Sequence, residues 1–265
     1  MAVISVNFFS NSLKRTIPFI AIIPNDGEFW SGDKTNTKSE KFKTLYLLHG
    51  FSGDETDYLI NTRIRELSHK YNIAVIMPTA NNGFYLDSTY RMENYGEFIG
   101  EELVEYTRRL FNLSSKREDT FIAGLSMGGY GAMRNGLKYN ETFSKIASYS
   151  GAYVIFKTAD AKEYIQDAVS TKEYQEAIFG EFKTLRESDK DPRWLIEELI
   201  KEDKEIPEIF ITIGKQDFLL DVNKQLKEFS EDKNINFTYI EDEGQHDWDF
   251  WNKYLEKSIE WIVNV

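Results

Sequence analysis

The sequence predicts an α/β fold in which a mainly parallel sheet is covered by helices on both faces. From residue 42 onward, short apolar segments of strand type alternate with segments whose apolar residues recur at helical spacing. Several strand segments are apolar without a break, which is typical of parallel strands buried on both faces. The chain of 265 residues is 41% hydrophobic, enough for one large core. We therefore expect a single domain over residues 1–265.

The first part of the chain predicts an antiparallel pair of strands. Residues 3–9 and 15–23 are rich in β-forming side chains, and a short polar connection separates them. Residues 24–41 are polar and contain glycine, asparagine and aspartate, which predicts a loop. The sheet should therefore begin with two antiparallel strands before its parallel part.

The rest of the chain predicts the parallel part of the sheet and its helices. Strands are expected over residues 42–48, 73–77, 120–123, 145–149, 208–214 and 236–241. Helices are expected over residues 63–70, 98–111, 223–233 and 247–263, and between residue 127 and Tyr139. Residues 152–205 interrupt the alternation, because their helical stretches lie where a single crossover would suffice. We interpret them as a cap-like insertion, which is either a candidate lid or additional surface helix.

The composition excludes several classes of function. The net charge of −12 and the acidic residues spread along the chain oppose binding to nucleic acid or to an anionic membrane. The absence of cysteine excludes disulfides, thiolate metal sites and a cysteine nucleophile. The first residues lack a basic region followed by an apolar run, and we expect a cytoplasmic protein. A small-molecule substrate is the expected partner, and the sequence is compatible with a homo-oligomer.

The segment after the predicted strand at 120–123 has a motif that carries chemistry. It consists of Gly124-Leu125-Ser126-Met127-Gly128 and matches G-x-S-x-G. A strand precedes it and a helix follows, which is the context of a nucleophile elbow. The serine of such a turn is forced toward positive φ, and strand and helix pack so closely that only residues such as Gly124 and Gly128 fit. Ordinary glycine-rich loops also carry this motif, but the flanking elements favour Ser126 as a nucleophile.

A serine nucleophile needs a base, and the chain has three histidines. His69 falls inside a predicted helix, as a surface residue. His49 follows a central strand, where fixing the loop by a hydrogen bond is the favoured role. His246 lies in a glycine-containing loop after the last strand and follows the serine in chain order, as the base of this arrangement must. We therefore assign the base to His246.

The base in turn needs a carboxylate. Asp217 lies in the loop after the strand at 208–214, and the order Ser126, Asp217, His246 is the one expected. Asp221 is the alternative, although capping a helix is its favoured role. Asp242 and Asp247 are less well placed, the first as a solvated charge and the second because it adjoins the histidine.

An oxyanion requires two converging donors. The first is the Met127 N–H, which directly follows the serine at the start of a helix. The second is the Phe51 N–H, in the loop that follows the strand at 42–48. Gly50 and Gly53 in that loop mark either a tight turn or room for this donor, and their place after a buried strand favours the second interpretation.

Taken together, these motifs resemble a known family. They are Leu47-Leu48-His49-Gly50, Met77-Pro78, Asn82-Gly83-Phe84-Tyr85, residues 120–131, residues 214–219 and Gly244-Gln245-His246-Asp247-Trp248. They look like the tributyrin esterases of the esterase D group, relatives of S-formylglutathione hydrolases, feruloyl and acetylxylan esterases and the antigen 85 mycolyltransferases. The resemblance spans residues 3–261 and implies an α/β-hydrolase fold with the triad and oxyanion donors assigned above. Phe51 is bulkier than the Met or Leu of many relatives, and residues 152–205 are less like the family.

The expected activity is that of a serine carboxylesterase that hydrolyses short-chain acyl esters through an acyl-enzyme, without metal or cofactor. Tyr85 and Trp248 are expected to line the substrate pocket, with Phe51 and Phe84. Trp251 is a further candidate for the pocket wall, although packing in the core is its favoured role. The alternatives are an S-formylglutathione hydrolase-like thioesterase, a feruloyl or acetylxylan esterase, or a catalytically silent hydrolase fold used for binding. The silent fold is disfavoured because no triad member or oxyanion glycine is missing.

Overall fold

The computed structural model describes residues 1–24, 41–88, 92–158 and 171–263. The loop predicted at residues 24–41 lies almost entirely outside these ranges, as do residues 159–170 of the predicted insertion. The strands are β1 (Ala2–Ser10), β2 (Arg15–Ile23), β3 (Lys43–Leu48), β4 (Ile73–Pro78), β5 (Asp87–Ser88), β6 (Glu93–Asn94), β7 (Thr120–Leu125), β8 (Lys145–Tyr149), β9 (Glu208–Gly214) and β10 (Phe237–Asp242).

The described helices lie between these strands and after the last one. They are α1 (Asp57–Asn61), α2 (Ile64–Lys70), α3 (Tyr95–Glu97), α4 (Leu103–Leu110), α5 (Met127–Lys138), α6 (Ile155–Thr158), α7 (Lys172–Phe179), α8 (Phe182–Leu185), α9 (Pro192–Lys201), α10 (Leu220–Asp232) and α11 (Trp248–Val263). A π-helical turn over Phe98–Glu102 joins α3 to α4, and Arg117–Asp119 form a 3₁₀ turn. Within the described ranges, no helix is both long and apolar enough to span a bilayer.

Eight strands form one sheet in the order β1-β2-β4-β3-β7-β8-β9-β10. The strand β2 pairs antiparallel with both β1 and β4, and the remaining neighbours pair in parallel. The predicted fold class, a mostly parallel sheet with an antiparallel start, is therefore confirmed. The short strands β5 and β6 form a separate antiparallel pair.

The central strands are buried on both faces because each alternates its side chains between two cores. Tyr46, Ile76 and Ile122 face the core that contains helices α4 and α5. Leu45 and Phe121, from adjacent positions on the same strands, face the core that contains helices α2 and α11. This explains why the sequence of these strands is continuously apolar instead of alternating with polar residues.

The parallel direction brings four loops to one edge of the sheet. Ser126 follows β7, Phe51 follows β3, Asp217 follows β9 and His246 follows β10. In parallel sheets the crevice outside the carboxyl ends of the strands is the usual place for a ligand site. The residues assigned from sequence therefore come from the edge where such a site is expected.

Candidate active site

Ser126 lies on the sharp turn between β7 and α5. Its backbone has φ 53° and ψ −118°, the positive φ that the motif predicts. A Cβ atom on Gly124 would lie 2.3 Å from the Gly128 carbonyl oxygen, and one on Gly128 would lie 2.3 Å from the Leu48 carbonyl oxygen. Any side chain at these two positions would therefore force backbone apart. The turn has the geometry of a nucleophile elbow.

The three candidate catalytic side chains form one hydrogen-bonded chain. Ser126 Oγ lies 2.9 Å from His246 Nε2, and His246 Nδ1 lies 2.9 Å from Asp217 Oδ2. The Asp217 side chain is fully buried, whereas that of His246 is 18% exposed. With Nδ1–H donating to the carboxylate, Nε2 is left to accept the serine proton. This is the relation that activates a serine hydroxyl.

Asp217 is held in place from its other side. Its Oδ1 accepts a hydrogen bond from the Leu219 N–H at 2.8 Å, so both carboxylate oxygens have donors. The carboxylate cannot rotate without losing one of these contacts. Its orientation toward the imidazole is therefore fixed before substrate binds.

The loops that carry Asp217 and His246 are hydrogen-bonded to each other. The Gln216 N–H donates to the Gly244 carbonyl oxygen at 3.0 Å, and the Gly244 N–H donates to Gln216 Oε1 at 2.9 Å. Gly244 has φ 151°, and a Cβ atom there would lie 2.3 Å from the Phe250 ring. Sequence analysis did not identify Gln216, because its role depends on a partner 28 residues away.

Aromatic rings enclose the His246 imidazole. The Phe218 ring centroid lies 4.6 Å from that of His246, and the Trp251 ring meets the imidazole edge-on at 5.0 Å. The Trp251 indole N–H donates to Ser150 Oγ at 3.1 Å, which fixes its plane. Phe218 is 72% exposed, so it shields the histidine from one side only. No periodic pattern in the sequence predicts the position of such an exposed ring, so the sequence analysis did not identify Phe218 as a site residue.

The amides assigned to the oxyanion site come from two different elements. Met127 is the first residue of α5 and is fully buried, and Phe51 lies in the loop after β3. Among the residues that the structure describes, neither amide donates a hydrogen bond to the protein. Both residues line the same cavity as Ser126. They are thus available to a developing negative charge on a substrate oxygen.

His49 fixes the loop that carries Phe51, as its favoured role predicts. Its Nε2 accepts from the Ala80 N–H at 2.9 Å, so Nδ1 carries the proton and donates to the Gly50 carbonyl oxygen at 2.7 Å. Burial lowers the pKa of His49, which favours the neutral ring. His69 lies in α2 and is half-buried.

A cavity of about 590 Å³ opens at Ser126. Its walls are formed by Gly50, Phe51, Ser52, Gly53, Asp57, Phe84, Leu125, Met127, Ala152, Val154, Tyr174, Gln175, Phe218, Leu219, His246, Trp248 and Trp251. Trp248 contributes to the wall, as the sequence analysis expects. Trp251, the further candidate, also contributes to the wall, and its buried part packs in the core as its favoured role predicts.

Tyr85 does not line this cavity, and its expected place in the pocket is wrong. The residue has φ 57°, and its side chain is fully buried. The hydroxyl donates to the His49 carbonyl oxygen at 2.9 Å, and the ring packs against Gly131 of α5. Positive φ at Tyr85 and at Phe84 before it turns the ring inward. Through its hydrogen bond to His49, Tyr85 therefore stabilises the loop that carries Phe51.

We expect Tyr85→Phe to lower the free energy of unfolding by about 1–3 kcal/mol, because a buried carbonyl oxygen loses its donor. Urea unfolding measures this change. The dependence of activity on acyl-chain length should stay that of the native protein, since no cavity wall is altered. A changed chain-length preference would instead indicate that Tyr85 contacts the substrate in the pocket.

Asp221 also differs from its expected role. The helix α10 begins at Leu220 with Leu219 as its N-cap, so Asp221 lies inside the first turn and is exposed. A carboxylate there interacts favourably with the helix dipole but does not cap the helix. The two His246 ring nitrogens contact Ser126 and Asp217 instead.

The sequence matches a family of known proteins. Residues 10–262 match the family described as "Putative esterase". An acetyl esterase from Caldicellulosiruptor saccharolyticus is 45% identical over 265 residues, which cover 100% of this chain and 99% of that protein. Among solved structures, the fluorophosphonate-binding serine hydrolase FphF of Staphylococcus aureus is 33% identical with a TM-score of 0.85, covering 100% of this chain and 99% of that chain.

A second solved structure extends the comparison. An S-formylglutathione hydrolase (FrmB) from Staphylococcus aureus is 32% identical with a TM-score of 0.84, and the match covers 99% of each chain. These similarities extend over nearly the whole sequence and include serine hydrolases of the α/β-hydrolase fold. They confirm the resemblance to the esterase D group. This chain belongs to that esterase family and is a carboxylic ester hydrolase.

Proposed function

We propose that this esterase is a serine carboxylesterase that hydrolyses short-chain acyl esters through an acyl-enzyme on Ser126. The observation that carries the proposal is the chain of 2.9 Å contacts from Ser126 through His246 to Asp217 at the bottom of an aromatic cavity. This arrangement supplies a nucleophile, a base and an orienting acid without a metal or cofactor.

Acylation begins with attack of Ser126 Oγ on the ester carbonyl carbon. His246 Nε2 accepts the serine proton, and Asp217 stabilises the imidazolium that forms. The carbonyl oxygen becomes negative and accepts hydrogen bonds from the Phe51 and Met127 amides. The tetrahedral intermediate then breaks its bond to the alcohol oxygen, which leaves with the proton from His246.

Deacylation repeats these steps with water in place of serine. His246 Nε2 removes a proton from the attacking water, and the oxygen adds to the acyl carbon in the same oxyanion site. Collapse of this second intermediate breaks the acyl bond to Ser126 and returns the proton to its Oγ. The products are a carboxylic acid and free enzyme.

The cavity walls support a preference for small acyl groups. Phe51, Phe84, Trp248 and Trp251 contribute rings to the wall, and rings leave narrow space between them. Each added methylene gains about 0.8 kcal/mol on burial until the chain meets a ring, and overpacking then costs more. Val154, Tyr174 and Gln175 also line the cavity, which supports our proposal that residues 152–205 form a cap over the site within a single domain.

The chain-length preference gives a direct test. With p-nitrophenyl esters, kcat/KM should peak at about two to six acyl carbons and fall for longer chains, by the methylene argument. Trp248→Ala should move the optimum toward longer chains, because it removes a ring from the wall. Trp261→Ala is the matched control, since Trp261 lies on the same helix and packs against Phe210 away from the cavity. An unchanged optimum in Trp248→Ala would contradict this account of the wall.

A thioesterase is the second candidate, because one structural neighbour is an S-formylglutathione hydrolase. Glutathione carries a net negative charge, however, and no described residue that lines the cavity is a lysine or arginine. We therefore expect p-nitrophenyl acetate to have a higher kcat/KM than S-formylglutathione. Purified protein assayed with both substrates and with methyl ferulate decides between the three activities.

A further inference from the structure

Asp57 is an acidic side chain in the cavity wall that the proposed mechanism does not use. It is the first residue of α1 and is half-buried. A Cβ atom on Gly53 would lie 2.0 Å from Asp57 Oδ2, so the glycine leaves the room that the carboxylate occupies. The same atom would lie 3.1 Å from His49 Nδ1, which places the carboxylate beside the oxyanion loop.

No lysine or arginine among the described residues forms an ion pair with the Asp57 carboxylate. The adjacent His49 is neutral, because its Nε2 accepts a hydrogen bond from the Ala80 amide and only Nδ1 carries a proton. Burial raises the pKa of the Asp57 carboxyl, and the negative charge of nearby Asp54 acts in the same direction.

The walls around this carboxylate also favour a positive charge. Among the described residues, six phenylalanine, tyrosine and tryptophan side chains line the cavity, namely Phe51, Phe84, Tyr174, Phe218, Trp248 and Trp251. The face of an aromatic ring attracts cations through its quadrupole, and quaternary ammonium groups are bound in aromatic cages for this reason. The described wall residues include this carboxylate and these rings but no lysine or arginine, so the wall apart from the oxyanion amides favours a positively charged ligand.

We propose that Asp57 is a specificity-determining residue that makes the cavity favour esters carrying a cationic organic group and disfavour esters carrying an anionic one. The ligand class is a small ester with an ammonium or quaternary ammonium group, whose charge meets Asp57 while its alkyl groups contact the rings. This inference rests on the proposed function, because it takes the cavity at Ser126 as the substrate site. It adds the charge of the substrate, which the triad geometry leaves open.

Three acetate esters that differ mainly in charge test the proposal. They are acetylcholine, its uncharged isostere 3,3-dimethylbutyl acetate and the anionic 4-acetoxybutanoate. In the native protein, kcat/KM for acetylcholine should exceed that for the neutral isostere by about ten-fold, the effect of one partly screened charge pair, and the anionic ester should be slower than the neutral one. In Asp57→Asn, the ratio of cationic to neutral ester should fall to about one.

The control separates a local effect from the field of the whole protein. Asp54→Asn removes an exposed carboxylate three positions earlier that does not line the cavity, and it should keep the ten-fold ratio. A native ratio of one or less, or an equal fall in both variants, would overturn the assignment to Asp57. Circular dichroism verifies that both variants are folded.

A binding experiment distinguishes failure of this inference from failure of the proposed function. If the native protein hydrolyses none of the three acetates, the proposed esterase activity on small acetates is wrong. Calorimetry with choline and 3,3-dimethylbutanol on the native protein then still reports the charge preference. Tighter binding of choline that Asp57→Asn abolishes supports the role of Asp57, and equal binding of the two alcohols rejects it.

Discussion

Replacing Ser126 with alanine is expected to lower kcat by roughly 10⁴- to 10⁶-fold, because the nucleophile is lost while the rest of the machinery remains. The fold should persist. The Ser126 N–H donates to the Tyr149 carbonyl oxygen at 2.8 Å, and the Ser126 carbonyl oxygen accepts from the Ala152 N–H at 2.9 Å. These backbone bonds hold the turn without the hydroxyl, and alanine keeps the same Cβ atom.

Two measurements check this result in purified protein. One is hydrolysis of p-nitrophenyl acetate, and the other is the mass added by a fluorophosphonate probe, which should appear on the native protein and not on the variant. Ser144→Ala is the control, since its hydroxyl contacts the Thr120 carbonyl oxygen and is not among the described residues that line the cavity. A well-folded Ser126→Ala protein with more than a tenth of native activity would reject the mechanism.

The features that were predictable from sequence are those with a local cause. Gly124 and Gly128 around Ser126 report a close approach of strand and helix that only residues without a side chain allow. Unbroken apolar runs predict strands buried on both faces. Once these strands were located, Asp217 and His246 could be placed in the loops that follow two of them. Chain order then left one histidine in a suitable position.

The features that were missed depend on backbone angles or on distant partners. Tyr85 directly follows Phe84 in the chain, and no residue type near them predicts that both adopt positive φ. Its ring therefore enters the core while Phe84 reaches the cavity. Asp57 begins α1 and Phe218 lies in the loop before α10, and the fold brings both to the cavity wall without a pattern in the sequence that marks either residue.

Asp217→Asn is expected to lower kcat by about 10⁴-fold, as loss of the triad carboxylate does in serine hydrolases. An amide at this position can still accept from the Leu219 N–H, so the loop should keep its conformation. The other contact changes in kind. The asparagine NH₂ would face His246 Nδ1 as a donor, so the imidazole proton would lie on Nε2. The protonated Nε2 could no longer accept the proton of Ser126.

The matched control for this variant is Asp221→Asn, which removes the same charge four residues further along. Asp221 is exposed in the first turn of α10, and the His246 ring nitrogens contact Asp217 and Ser126, so kcat should stay within a few-fold of native, with at most about 1 kcal/mol lost from the helix dipole. Steady-state kinetics and urea unfolding of both variants measure the two effects. If Asp221→Asn loses activity and Asp217→Asn retains it, the acid of the triad is Asp221, and the 2.9 Å contact between Asp217 and His246 is structural.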